Sequence, residues 1–165
     1  KEVLVFKDNQ TVLFQTAPGD GIELYNGRTS STNADNLIVR YMRMRAGRQV
    51  SGSDNIDAGG AAYGHDQIYD HCSFTWGTDE CFSLNNDKQP EGLYNITLQN
   101  SILGQGCQNH SCGGLVQTSD EEGITVYRNL FIDNKTRNFK VKGLNQFVNN
   151  AVTYTHLTLP TKRIV

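Results

Sequence analysis

Two groups of side chains in this sequence carry opposite charge in patterns that chemistry can use. The acidic group is split between "SDNIDAGG", with Asp54 and Asp57, and "WGTDE", with Asp79 and Glu80. Carboxylates brought together repel unless a cation sits between them, and oxygen donors without a thiolate or imidazole favour a hard ion, Ca²⁺ ahead of Mg²⁺. Left apart, the same acids are solvated turn residues. The basic group is "TRNFKVKG", which holds Arg137, Lys140 and Lys142 within six residues of a chain whose formal charge is −2. So local a cation cluster points to a local anion. In a plain strand Arg137 faces with Phe139 and Val141 while the two lysines face away, so all three act together only if the chain bends after Arg137. A third segment, "GQGCQNHSCGG", offers Gln105, His110 and Ser111 in a Gly-rich turn. Cys107, His110 and Cys112 lack the spacing of a zinc knuckle and an evident fourth ligand, which leaves His110 either facing a ligand or structural. His71, in "DHCSF", is expected to bond within the strand stack.

The elements that must position these residues show themselves as a repeat. "NLIVRYMRM", "DQIYDHCSF", "NITLQNSIL", "GITVYRNLF" and "NQFVNNAV" are short β-branched or aromatic alternations entered from polar or Gly-containing turns. Superimposed, they bring Met42, Cys72, Ser101, Asn129 and Asn150 into register at spacings of 30, 29, 28 and 21 residues. Strands returning at that interval with no helix between them cannot form βαβ units. The turn signals of a β-sandwich recur every 8 to 12 residues, too short for this pattern. The pattern predicts an all-β chain folded as a parallel β-helix, in which Ser101, Asn129 and Asn150 form an internal hydrogen-bonded ladder. Coils so stacked lie about 4.8 Å apart. The acids of neighbouring coils then converge on the outer surface, and the basic cluster follows the fourth strand on the same side.

Composition bounds the alternatives. Apolar residues make up 37% and charged residues 19%, with 16 glycines and long helical windows absent, which suits a turn-rich β protein. At 165 residues one domain is expected. The slightly acidic balance gives no footprint for nucleic acid, and no apolar run is long enough to cross a bilayer, so neither is an expected partner. The opening "KEVLVFKDNQTVLF" alternates like a strand and is not a leader. Four cysteines permit two disulfides, one of them a small loop from Cys107 to Cys112. Acceptor-type triplets stand at Asn9, Asn95, Asn109 and Asn134. Residues 1–152 are expected to form a partial β-helix domain. Residues 153–165, "TYTHLTLPTKRIV", neither continue the strand nor form a recognisable cap and are expected to be a non-native or disordered tail, because "YTHLTLPT" reads like translated adapter sequence.

"NLIVRYMRMRAG", "DQIYDHCSFTWGTDE", "NSILGQGCQNHSCGGL" and "RNLFIDNKTRNFKVKGLNQFVNNAV" together resemble the pectate lyase-like members of polysaccharide lyase family 1, in that family's own order. The resemblance runs from about Asn36 to Val152. It implies a right-handed parallel β-helix, a secreted and monomeric enzyme, a pectic polysaccharide as partner, and cleavage of α-1,4-linked polygalacturonate by Ca²⁺-assisted β-elimination. Carried over by motif, Asp57, thirteen residues before the Asp of "YDH", is a calcium ligand, with Asn55 where a second acid can stand. Asp79 takes the next coil's acidic position with Glu80 beside it, and Ser83 falls where some relatives have a further Asp. Arg137 matches the base that takes the C5 proton. Lys142 matches a second family cation, Lys140 supports it, and His110 falls near where relatives place a substrate-facing Lys; Gln105, from the same Gly-rich segment, is expected among the substrate-binding residues. An Arg base must have its proton affinity lowered, which asks for other positive charge around it. Phe139 stands where relatives commonly have Pro. The alternatives are a metal-free pectin lyase, a non-catalytic polysaccharide-binding β-helix or an inactive fragment. A glycoside hydrolase has no use for Arg137.

Overall fold

The computed structural model describes residues 2–47, 55–86, 92–107, 110–118 and 123–153. Asp54, the Asn109 triplet and the tail beyond Thr153 fall outside them. The described chain coils through three large parallel sheets, with Val3–Val5 and Arg28–Ser30 forming a further two-stranded parallel sheet. The first stacks Gln10–Leu13, Leu37–Arg40, Gly64–Asp70, Leu93–Gln99, Ile124–Tyr127 and Asn145–Val148. A second stacks Glu23–Tyr25, Arg43–Arg45, Ser73–Thr75, Ile102–Gly104, Leu130–Ile132 and Ala151–Thr153. The third holds Gly59–Ala61, Glu80–Asn85, Cys112–Gln117 and Lys140–Lys142. Every pairing is parallel, and each strand pairs with its counterpart one coil away, as in Ile38 with Ile68 and Thr97 with Thr125. This is the parallel β-helix that the repeat predicts. Among the described residues the one helical segment is the 3₁₀ turn Phe14–Thr16, and no helix is long and apolar enough to cross a membrane.

The repeat is a column of corners. Tyr41, His71, Asn100, Arg128 and Asn149 all adopt left-handed backbone, with φ of 57, 55, 49, 54 and 54°. That conformation strains a bulky side chain in isolation, and here each corner is fixed by the one stacked on it. The residue after each corner points inward and builds the ladder. Asn150 Oδ1 accepts the Asn129 N–H at 2.9 Å, Asn129 Oδ1 accepts the Ser101 N–H at 2.9 Å, and Ser101 Oγ accepts the Cys72 N–H at 3.0 Å. The amides of Asn129 and Asn150 donate in turn to Leu98 O and Val126 O. Backbone groups that would be orphaned at a buried turn are thus satisfied by side chains of the next coil.

Alternation fills the interior. Leu37, Val39, Tyr69, Leu98 and Val126 point inward from the first sheet, Met44, Phe74, Leu103 and Phe131 from the second, and Phe82 and Leu84 from the third. Tyr69, Phe74 and Phe82 form a tight aromatic group with centroids 4.7 to 6.2 Å apart. All four cysteines are free thiols. The Cys107–Cys112 loop bridge that the sequence permits is not formed: Cys112 is buried with Sγ directed to His110 O while the Cys107 thiol turns to Gln105 O. Asn134 is likewise not a glycan acceptor in the folded chain: it is 1% exposed, and its amide bonds Leu103 O and Asn138 Oδ1.

Candidate active site

The third sheet positions the acids. Register pairs Phe82 with Gly59 and Glu80 with Cys112, and Cys112 bridges Thr136, so Asp57, Glu80, Cys112 and Thr136 occupy one column on four successive coils. Asp57 Oδ1 accepts the Glu80 N–H at 3.1 Å, and Ala58 N donates to Glu80 O at 3.0 Å. The strand after Asp57 lies flat on its neighbour because of glycine: a Cβ on Gly60, whose φ is 151°, would sit 1.9 Å from Ser83 O. The glycines of the "AGG" that follows Asp57 are therefore a packing requirement of the neighbouring coil.

Asp57, Asp79 and Glu80 each offer a carboxylate oxygen, and these lie within 4.8 Å of one another. Asp79 remains partly open to solvent, but the Glu80 side chain is only 3% exposed. Convergence occurs as expected, with Glu80 beneath the surface and not on it. Burial, with a smaller contribution from the Asp79 charge, raises Asp57 against its hydrogen bonds with Glu80 and the charge of Arg28. Burial likewise pushes Glu80 up to about 8, with Asp57 and Asp79 adding to the rise and the Arg137 guanidinium opposing it. Asp57 and Glu80 thus resist carrying charge together, which positive charge beside them relieves.

Arg137 supplies some. It bends the chain as required, with φ of 52°, and its guanidinium donates to Glu80 Oε1 and lies 3.8 Å from Asp79 Oδ1. Its surroundings are acidic, unlike those expected for a base. Burial lowers its proton affinity, but the bond to Glu80 and the charges of Glu80, Cys112 and Asp79 outweigh burial, so the net shift is upward. Phe139 turns inward over Gly114, where a Cβ would meet its ring at 2.4 Å, and packs edge-on to Phe131 with centroids 5.1 Å apart. The aromatic ring thereby anchors the bend and leaves Arg137 outside. Lys140 and Lys142 follow on an exposed strand paired with Leu115 and Gln117, one coil beyond the Cys112 strand.

The remaining expectations divide. His110 joins the acids, its Nδ1 2.7 Å from Asp79 Oδ1. Gln105 instead caps a corner: it is left-handed, φ 55°, and its Oε1 accepts the Trp76 Nε1–H at 3.0 Å. Asn55 is exposed two residues before Asp57. His71 bonds Asp70 at 2.8 Å and stacks on Tyr41, as expected of a stack residue. Arg28 joins the site unanticipated: it lines a groove with Asp57, Gly60, Ser83 and Asn85, and its charge acts on Asp57. Cys112, weighed in the sequence only beside Cys107 and His110, brings a thiol within 4.8 Å of Asp79 and His110. That Asp79 lies there required the register of the third sheet.

No protein-family model matches the chain. Fungal proteins described as probable pectate lyase C do. That of Neosartorya fischeri is 53% identical over 151 residues, covering 92% of this chain and 34% of its own length. Those of Aspergillus flavus and Emericella nidulans are 52% and 51% identical over 149 and 150 residues, each covering 90% of this chain and 33% of their own. The chain spans about a third of the length of the curated relatives it matches, and across that span it is pectate lyase-like.

Proposed function

We propose that the chain is the site-bearing part of a secreted pectate lyase, which cleaves α-1,4-linked polygalacturonate by Ca²⁺-assisted β-elimination to unsaturated oligogalacturonides. The observation that carries this reading is the convergence of Asp57, Asp79 and Glu80 from two adjacent coils with Arg137 from two coils further on. The all-oxygen set fits a hard cation. Asp57, Asp79 and Glu80 would hold Ca²⁺, with Asn55 beside them, and the bound ion would supply charge that neutralises a sugar carboxylate and the negative charge built next to it.

The chain's own residues account for the rest. Elimination moves the C5 proton to a base, forms the C4–C5 double bond and breaks the C4–O bond, with the leaving oxygen taking up a proton. Arg137 is the proposed base, and it cannot accept a proton while paired with Glu80. Opening that pair and releasing one guanidinium proton to solvent, favoured by the positive charge of Lys140, Lys142 and a bound cation nearby, would leave Arg137 able to take the C5 proton. Lys142 acts as a point charge on the substrate carboxylate without the two-pronged grip of an Arg. His110 orients Asp79 through its Nδ1, and Gln105 acts by holding Trp76 at the corner before the His110 turn.

One observation favours a second reading. The raised proton affinity of Arg137 suits a chain that binds pectic polysaccharide without cleaving it. Incubation with polygalacturonate and Ca²⁺ separates the two, followed by the near-ultraviolet absorbance of the unsaturated product. Absorbance growth abolished by chelator and by Arg137→Ala is the expected result. Growth indifferent to chelator would indicate a pectin lyase. Retained binding with no absorbance would leave the non-catalytic module.

A further inference from the structure

We infer that Asp79, His110 and Cys112 form a second metal site, for a borderline divalent cation of the Zn²⁺ or Co²⁺ class. Their ligand atoms, a carboxylate oxygen, an imidazole nitrogen and a thiol sulfur, lie within 4.8 Å of one another. Three ligands around one tetrahedral ion lie roughly 3.5 Å apart, given metal–ligand bonds of about 2.0 to 2.3 Å. A side-chain adjustment closes the difference.

The backbone fixes the trio. Cys112 N donates to Asp79 O at 2.9 Å, so the turn carrying His110 and Cys112 is stacked directly on the turn carrying Asp79. The Asp79 Oδ1 contact to His110 Nδ1 already draws two ligands together, and the Cys112 thiol lies against His110 O at 3.4 Å. Cys112 is 1% exposed, whereas the side chains of Asp79 and His110 are 25% and 44% exposed. The thiol forms the floor, the other two form the rim, and an ion enters from solvent with a fourth position left for water. On binding, the thiol proton leaves to solvent, the imidazole proton moves by way of solvent from Nδ1 to Nε2, and the Asp79–His110 hydrogen bond gives way to two bonds to the metal. The mixed donors select against Ca²⁺, which takes oxygen, and suit ions that accept nitrogen and sulfur.

Asp79 also belongs to the carboxylate cluster. On the proposed function, occupancy here withdraws Asp79 from the hard-cation site, so a Zn²⁺-class ion inhibits in competition with Ca²⁺. The site itself does not depend on that reading.

Titration of the metal-free chain with Co²⁺ tests the site by optical spectroscopy, with no activity measured. One equivalent should produce visible ligand-field bands and a near-ultraviolet thiolate-to-cobalt band. Cys112→Ser should abolish the thiolate band, and Cys107→Ser should keep it. His110→Ala, at an exposed position where folding is safe, should weaken binding by roughly tenfold or more and decides the matter if Cys112→Ser fails to fold. Asp57→Asn should leave the cobalt spectrum unchanged while lowering Ca²⁺ affinity, which separates this site from the proposed catalytic one. No thiolate band, or a band indifferent to both Cys112→Ser and His110→Ala, would overturn the assignment, as would a band that follows Cys107.

Discussion

The base role proposed for Arg137 conflicts with the acidic contacts it makes, and those contacts say how its removal will register. As a cation it neutralises a Glu80 side chain that is only 3% exposed. Arg137→Ala therefore leaves a buried carboxylate without its donor, and such a loss costs about 1–3 kcal/mol. Adding Glu80→Gln should restore most of that, because a neutral amide is cheaper to bury than an unpaired charge. Urea denaturation of the two variants in chelator measures both numbers, and a double variant no more stable than Arg137→Ala would show that Glu80 is not what Arg137 holds. The sequence supplied the members of this site but not their pairing. Acids and base were legible because each follows a recognisable strand at a recognisable offset. That Arg137 rests on Glu80, and that Cys112 lies beside Asp79, depends on how four turns of different length stack, and turn length does not encode contact. Gln105 sits at a left-handed corner and accepts from Trp76, a contact that its place in a Gly-rich motif does not encode.

At the scale of the strand, the first sheet and its corners hold the coils in register, and Asp70 is their charged link. Its carboxylate accepts from Arg40 Nε at 2.8 Å, His71 Nδ1 at 2.8 Å, Asn100 Nδ2 at 2.9 Å and Gln99 Nε2 at 3.1 Å, joining three successive coils. Burial works to raise its pKa, but the bonds from Asn100, Gln99, His71 and Arg40 outweigh burial and hold it below the usual carboxylate value of 3.8. A carboxylate lowered in the fold contributes stability that is complete above its unfolded pKa and is lost as pH falls through the folded one. Stability should therefore fall below about pH 4, and Asp70→Asn should both lower it at neutral pH and flatten that acid limb. Chemical denaturation across the acid range reads the slope, and an unchanged slope in the variant would assign the acid loss to other carboxylates. The strand register was the most legible feature of the sequence, because the ladder places one small polar residue per coil at a fixed offset. The third sheet was the least legible, since its strands carry glycines and buried polar residues where alternation is expected.

For the molecule as a whole, stability in a solenoid resides largely between neighbouring coils, so a ligand that joins coils acts on the fold as well as on chemistry. Asp57 belongs to one coil and Asp79 and Glu80 to the next, and in the absence of a metal the joining charge comes from Arg137, two coils on. Ca²⁺ taken by those carboxylates adds a link where burial makes unneutralised charge most costly. Binding to the folded chain alone stabilises by about 2.7 kcal/mol when the ion is at a hundredfold excess over its dissociation constant. For a chain of this size that corresponds to a rise in Tm of roughly 5–10 °C. The rise should grow with the logarithm of Ca²⁺ concentration, be smaller with Mg²⁺, which accepts irregular oxygen geometry poorly, and vanish in Asp57→Asn. It should also shrink when a Zn²⁺-class ion is present, because that ion draws on Asp79. Differential scanning calorimetry at several Ca²⁺ concentrations measures it with no substrate in the cell. A Tm that stays flat in Ca²⁺ would remove the hard-cation assignment from these carboxylates and leave Arg137 as the charge that the acidic column was built to receive.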